Sequence, residues 1–255
     1  MTAADWGLLM VAAFSAGWVD AVVGGGGLIL LPALLVVAPG LSAQAALATN
    51  KMTAVFGTCA AVVTFARKIK IEWRVMAPAG LAAAVTSACG AAAVSLIDRD
   101  LFIPIIMVVL VGVAILVTAR PTIGTVAAHN PPSRRKFLVV VFLAAGAFGF
   151  YDGILGPGTG TFFIIAFATL LGTEFVRSAA MAKVLNLGSN VGALAFFAIT
   201  GHVLWQLGAA MAVCNVIGAL LGSRTALSRG SGFVRIVLLV VVIGMVVRLG
   251  WQQFG

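Results

Sequence analysis

A succession of long apolar runs is the feature that most constrains what this chain can fold into. Apolar residues make up 62% of the 255 residues and charged residues only 9%, against about 45–50% and about 25% in ordinary soluble domains. A helix needs about 20 apolar residues to cross a bilayer core of about 30 Å. The sequence therefore predicts a polytopic membrane protein and leaves no segment for a second, aqueous domain.

The apolar runs divide into two sets of five. The runs lie near 6–22, 26–38, 44–66, 73–96 and 101–119, and then near 137–154, 160–172, 175–199, 203–223 and 234–250. Each run is predicted to be helical, because backbone amides in lipid must find partners within their own segment. The second run of each set is short and follows a break rich in Gly and Pro, which is typical of a broken or re-entrant helix.

The two sets are copies of one sequence. A shift of 132 residues places Gly17 on Gly149, Asp20 on Asp152, Gly24 on Gly156, Gly26 on Gly158, Lys51 on Lys183, Trp73 on Trp205 and Gly90 on Gly222. Biased composition does not explain matches that include an Asp and a Lys within apolar runs. The prediction is a first transmembrane repeat at 1–120, a cytoplasmic linker at 121–136 and a second repeat at 137–255.

The basic residues indicate how the repeats are oriented, because short loops rich in Lys and Arg stay cytoplasmic. They form three clusters: Arg67, Lys68, Lys70 and Arg74; Arg120, Arg134, Arg135 and Lys136; Arg224, Arg229 and Arg235. The first cluster precedes the fourth run of its half, whereas the third follows the fourth run of the other half. The halves are therefore predicted to be inverted, with both termini outside. The net charge of +9 then reflects topology rather than a nucleic-acid partner.

Four charged residues lie inside apolar runs, namely Asp20, Lys51, Asp152 and Lys183. A charged side chain near the bilayer centre costs at least about 2.5–3.5 kcal/mol on insertion scales, so it usually faces a cavity or a partner. One interpretation is that the aspartates neutralise the lysines as structural pairs. The other is that the two lysines form a cationic site for an anion, with the aspartates shaping the site or carrying a proton.

Polar side chains accompany both lysines. On a helix, Lys183, Asn186 and Asn190 share one face, and Thr49 and Asn50 directly precede Lys51. Amide and hydroxyl donors around an ammonium group suit an oxyanion, whose oxygens accept several hydrogen bonds. These side chains are therefore candidate substrate ligands.

Glycine clusters follow both aspartates, GGGG at 24–27 and GPGTG at 156–160. Glycine lets a ligand approach the main chain, and a helix that begins just after such a break directs free N–H groups and its positive end towards that point. The candidate contacts from these breaks are Gly25, Gly26, Gly158 and Thr159.

Four segments together resemble the sulfite exporter TauE/SafE family, also called the toluenesulfonate uptake permease family. They are GWVDAVVGGGGLILLPALL, ALATNKMTAVFGT, GFYDGILGPGTGTFF and AAMAKVLNLGSNVGAL. The resemblance implies a bacterial-type inner-membrane permease, built from a duplicated half, that moves sulfur-containing anions such as sulfite or organosulfonates. It places the family's glycine motifs at 24–27 and 156–160, and its polar motifs at 49–51 and at Lys183, Asn186 and Asn190.

The expected function is a secondary transporter with alternating access, whose partners are a small anion and the bilayer. No cofactor or metal is expected, and no Walker motif couples the chain to ATP. No nucleophile with a base indicates an enzyme. Two alternatives remain at this point: an anion channel with an open water path, and a scaffold subunit that would tolerate Leu or Met in place of the lysines. The substrate, direction, coupling ion and self-association into a homo-oligomer stay open.

Overall fold

The computed structural model describes residues 2–38, 40–94 and 132–254. The predicted run at 101–119 and most of the predicted linker lie outside these residues. The helices are α1 (Ala3–Val23), α2 (Gly27–Val37), α3 (Ala43–Ala66), α4 (Trp73–Ala93), α5 (Arg134–Ile154), α6 (Thr159–Leu170), α7 (Phe175–Ile199) and α8 (Trp205–Phe254). No strand occurs in the described ranges, and the predicted all-α membrane class is confirmed.

Six helices of the described chain are long and apolar enough to cross a membrane, counting Trp205–Val234 of α8 as one. The helices α2 and α6 have only 11 and 12 residues. At about 1.5 Å per residue they reach about 18 Å, well short of a core of about 30 Å. They are the short second segments that the sequence predicted in each half.

The middle part of α8 differs from the sequence prediction. The sequence ended one run at 223 and assigned Arg224, Arg229 and Arg235 to a loop, but all three residues lie in helical segments. The helical conformation is interrupted at Gly230, which has φ 73° and ψ −171°. The predicted break between the two runs is therefore present at Gly230, but the loop is shorter than predicted. A long arginine side chain can extend to the surface from a helical position, so its charge does not end a helix.

The two halves interlock. Helix α1 packs on α8 and α5 packs on α4, while α3 packs on α8 and α7 packs on α4. At the 132-residue offset α8 corresponds to α4, so each half packs on the fourth helix of the other. The contacts repeat in detail: Gly17 leaves no room for a Cβ atom beside the backbone of Asn215, and their counterparts Gly149 and Ala83 are packed in the same way.

Residues of all three basic clusters lie at one end of the molecule. Arg134, the first residue of α5, forms an ion pair with Glu72, which precedes α4. Arg67, Lys68 and Arg224 line one groove between α3 and α8. We call this end, defined by Arg67, Lys68, Arg134 and Arg224, the basic end.

Candidate functional site

Two glycine breaks, at equivalent positions of the halves, end α1 and α5. Gly24 has φ 81° and donates its N–H to the carbonyl oxygen of Asp20 at 2.7 Å. Its counterpart Gly156 has φ 82°. This left-handed backbone favours glycine, because a Cβ atom would approach the following carbonyl oxygen. Each long helix therefore ends near its aspartate, and a short helix begins within a few residues.

The two breaks contact each other inside the protein. The backbones of Gly24 and Gly160 approach so closely that a Cβ atom fits on neither residue. The hydroxyl of Thr161 donates to the carbonyl oxygen of Val23 at 2.7 Å and joins α6 to the end of α1. Within the second break, the hydroxyl of Tyr151 donates to the carbonyl oxygen of Pro157 at 2.9 Å.

Sequence reasoning did not single out Thr161 or Tyr151. Tyr151 is the one tyrosine of the chain and directly precedes Asp152, which could have marked it as part of the break. Thr161 lies one position after the GPGTG motif and gave no comparable signal. Its role depends on contact with a break that is distant in sequence.

The first lysine forms an ion pair with the second half. Lys51 Nζ on α3 lies 2.7 Å from Asp152 Oδ2 on α5, and the two side chains are 1% and 2% exposed. The glycine break closes over this pair, since a Cβ atom at Gly156 would lie 3.1 Å from Lys51 Nζ. The ion pair is therefore sealed from solvent in this conformation.

The second lysine forms the reciprocal ion pair. Lys183 Nζ on α7 donates to Asp20 Oδ2 on α1 at 2.7 Å. The hydroxyl of Thr58 donates to the same oxygen at 3.5 Å. Lys183 is 0% exposed, but the Asp20 side chain is 17% exposed. This pair is therefore less completely sealed than the pair of Lys51 and Asp152.

Each lysine is thus paired with the aspartate of the other half. Lys51 of the first half pairs with Asp152 of the second, and its counterpart Lys183 pairs with Asp20 of the first. We call them the exchanged ion pairs. Neither lysine is a free ammonium group in this conformation, which is the arrangement that the structural-pair interpretation predicted. A buried ammonium needs a hydrogen-bonded counter-charge, since removal from water costs several kcal/mol per ion. Any anion that binds the lysines has to replace these carboxylates.

Asparagine side chains near the breaks retain donors. Asn50 is 4% exposed, and its side chain makes no hydrogen bond within the described residues. Its amide nitrogen lies near the second break, since a Cβ atom at Gly27 would be 3.5 Å from Asn50 Nδ2 and 3.5 Å from Pro157 Cα. On α7, Asn190 Nδ2 donates to Asn186 Oδ1 at 3.3 Å, so the amide hydrogens of Asn186 remain available.

The hydroxyls of the two candidate threonines are used within the protein. Thr49 donates to the carbonyl oxygen of Ala45 at 2.7 Å and accepts the N–H of Leu204 at 3.3 Å. Thr159 donates to the carbonyl oxygen of Gly156 at 2.8 Å. As donors to a substrate, both would first have to break these bonds.

The remaining candidate contacts are backbone positions in the breaks. Gly26 packs against α1, where a Cβ atom would meet the side chain of Asp20. Gly25 is buried, and Gly158 has φ 84° at the start of α6. No group of His, Cys, Asp and Glu side chains that could hold a metal is found in the described part of the chain.

Within the described ranges the chain is helical, with six helices able to cross a membrane and with ion pairs buried at two broken helices. This combination is typical of polytopic membrane transporters. Comparison with known proteins agrees with this class. The sequence matches the family described as sulfite exporter TauE/SafE over residues 9–249. The chain belongs to this family.

Several bacterial proteins of nearly the same length are similar to this chain. A probable membrane transporter protein, ORF9, of Sinorhizobium sp. is 36% identical, over 94% of this chain and 90% of its own. The probable membrane transporter protein YfcA of Escherichia coli K12 is 34% identical, over 98% and 91%. A probable membrane transporter protein of Haemophilus influenzae is 32% identical, over 97% and 96%. No solved structure matches significantly. The protein is therefore a membrane transporter and not an enzyme.

Proposed function

We propose that this protein is a secondary transporter for a small sulfur-containing anion, such as sulfite or an organosulfonate, which binds at mid-membrane beside the exchanged ion pairs. The family description supports the substrate class. The observation that carries the proposal is the pairing of Lys51 with Asp152 and of Lys183 with Asp20 across the two halves. These pairs lie where two broken helices meet.

In this proposal, the substrate binds a lysine in place of the aspartate carboxylate that is paired with it. The substrate replaces a carboxylate beside Lys51 or Lys183, and the displaced aspartate takes up a proton so that the buried cluster stays neutral. Asn50 and Asn186 donate amide hydrogens to the oxygens of the anion. Transport of an anion is therefore coupled to a proton through Asp20 or Asp152.

The unequal exposure of the two pairs supports alternating access. In this conformation Asp20 is partly exposed, whereas Asp152 is almost wholly buried. In a molecule built from two equivalent halves, the opposite conformation exposes Asp152 and buries Asp20. Rocking of one repeat against the other about a fixed site is the usual mechanism of such folds.

Helix directions support the inverted arrangement of the halves. Phe14 and Trp18 of α1 lie against Gly218 and Gly222 of α8, so α1 and α8 run in parallel. Since Arg224 is at the basic end, both run towards it. Helices α4 and α5 instead begin there, at the ion pair of Glu72 and Arg134. Counterparts α1 and α5, and counterparts α4 and α8, therefore point in opposite directions.

We infer that the protein lies in the bacterial inner membrane with the basic end in the cytoplasm. Loops rich in Lys and Arg are retained on that side during insertion. The first helix, which runs towards the basic end, then begins outside.

Transport assays in proteoliposomes test the proposal. Purified protein is supplied with sulfite, thiosulfate, sulfoacetate, taurine or chloride, and internal pH is followed with a trapped dye. We expect saturable movement of at least one sulfur oxyanion or sulfonate, accompanied by protons, and no movement of chloride. Rapid flux that does not saturate would indicate an anion channel, and absence of all five fluxes would contradict the substrate class.

A further inference from the structure

A groove separate from the exchanged ion pairs lies between α3 and α8. Its volume is about 930 Å³, near the upper end of the range of about 300–1,000 Å³ typical of ligand sites. Phe56, Ala60 and Val63 of α3 and Val216 and Leu220 of α8 form its apolar lining. None of the four residues of the exchanged ion pairs lines it.

One end of the groove is strongly basic. Arg67, Lys68 and Arg224 line it and are exposed, and none of their side chains has an ion-pair or hydrogen-bond partner in the described ranges. No acidic side chain is among the described lining residues. The helices α3 and α8 run in parallel here, with Thr53 beside Gly208 and Gly57 beside Asn215, so the three cations lie together at the basic end.

The apolar part of the groove has the length of a lipid chain. From Phe56 to Arg67 the helix rises about 16 Å at about 1.5 Å per residue, which is about half of a bilayer core of about 30 Å. Phe56 and Val63 are 50% and 46% exposed. An apolar groove as long as one leaflet is deep, with cations at the membrane surface, matches an acyl chain attached to a negative headgroup.

We propose that this groove binds one anionic phospholipid of the bilayer. The headgroup phosphate contacts Arg67, Lys68 and Arg224, and an acyl chain lies along α3 and α8. Basic pockets between transmembrane helices recognise anionic headgroups by this electrostatic attraction. A zwitterionic lipid would gain much less from three unpaired cations, and a small soluble anion would leave the apolar length empty.

A second copy of this chain fits the groove less well. It would have to present acidic side chains to the cations, and the chain has only 7 acidic residues. Asp20 and Asp152 are engaged in the exchanged ion pairs and Glu72 binds Arg134, so within the described ranges only Asp5 and Glu174 are left without an ion pair. The charge of the groove therefore favours lipid as the occupant.

Native mass spectrometry of the purified protein tests the proposal. The protein in neutral detergent is titrated with dioleoyl phosphatidylglycerol, dioleoyl phosphatidylcholine or inorganic phosphate. We expect a first phosphatidylglycerol molecule to bind well ahead of phosphatidylcholine. The variant Arg67→Gln/Arg224→Gln is expected to bind it about 25-fold more weakly, since each cation near an anionic headgroup contributes about fivefold.

Matched variants keep the result interpretable. Lys70→Gln removes one positive charge from the segment after α3, but Lys70 does not line the groove. The affinity of this variant for phosphatidylglycerol is therefore expected to stay within about twofold of the wild-type value. Leu220→Trp fills the apolar part without changing charge and is expected to weaken binding as well. Gel filtration and thermal melting without lipid show that each variant is folded, and Lys68→Gln replaces the double variant if that fails.

Several outcomes would overturn the proposal. Equal binding of phosphatidylcholine would remove the charge argument, and unchanged affinity in the Arg67→Gln/Arg224→Gln variant would place the lipid elsewhere. Competition by inorganic phosphate at the same concentration would identify a soluble anion as the ligand. Loss of a dimer in the Leu220→Trp variant, with unchanged lipid binding, would identify a second copy as the occupant.

Discussion

At the scale of single residues, Lys51 and Asp152 are almost wholly buried and depend on each other for neutralisation. Removing one partner of a buried ion pair typically costs about 3–5 kcal/mol, because the other charge is left without compensation. Replacing both partners by apolar residues is often neutral or stabilising. This difference separates the structural contribution of a pair from any contribution to transport.

The two pairs should respond unequally to loss of a lysine. We expect Lys51→Met to lower the free energy of unfolding by about 3–5 kcal/mol, since it leaves the carboxyl group of Asp152 without its counter-charge and only 2% exposed. Lys183→Met should cost less, because Asp20 is 17% exposed and keeps the Thr58 hydroxyl as a donor. Thermal and denaturant unfolding in one detergent measures both. Equal losses would contradict the unequal burial.

At the scale of elements, the glycine breaks determine where the aspartates and the short helices lie. Gly24 and Gly156 each end a long helix with left-handed backbone. The first break also packs directly on the backbone of α6 through Gly160. The breaks are therefore structural joints as well as walls of the candidate site.

Substitution of Gly156 should disturb the joint and the ion pair together. In Gly156→Ala, the left-handed backbone costs about 1–2 kcal/mol, and the new methyl group would lie 3.1 Å from Lys51 Nζ. We expect lower thermal stability and transport reduced at least about tenfold. Gly146→Ala on α5 is the matched control, because no atom lies within 4 Å of its Cβ position. If both variants behaved alike in melting and transport assays, the packing described at Gly156 would be wrong.

The sequence predicted the helices and their breaks better than the contacts between the helices. Helix lengths and the breaks at Gly24 and Gly156 follow from local rules of hydropathy and backbone conformation. The residue in contact with Lys51 does not, because periodicity identifies a helix face but not the helix that it meets. The repeat suggested that the lysines belong together, yet the contacts that form are between each lysine and the aspartate of the other half. The misplaced loop at Arg224 has a similar origin, since charge was taken as a helix end.

At the scale of the whole molecule, each half completes the packing of the other. The counterpart contacts of Gly17 with Asn215 and of Gly149 with Ala83 show the exchange at close-packed glycines. Such interlocking means that the exchanged ion pairs cannot move independently of the helices that carry them.

Labelling of single cysteines tests the orientation. In a background without Cys59, Cys89 and Cys214, we expect His202→Cys to react with a membrane-impermeant thiol reagent in intact cells. Lys70→Cys, at the basic end, should react only after the membrane is opened. His202 and Lys70 lie in the segments after α7 and α3, respectively. The reverse pattern would contradict a cytoplasmic basic end.

The most direct test of the central claim is transport by a protein from which one exchanged ion pair has been removed as a unit. In Lys183→Met/Asp20→Leu no buried charge is left unpaired, so we expect stability within about 1–2 kcal/mol of the wild-type value. Alternating access uses the two pairs in turn, and the variant keeps an ammonium group and a proton carrier only at Lys51 and Asp152. We therefore expect no transport of the sulfur anion in proteoliposomes. A folded double variant that transports at the wild-type rate would show that the pair only stabilises the fold.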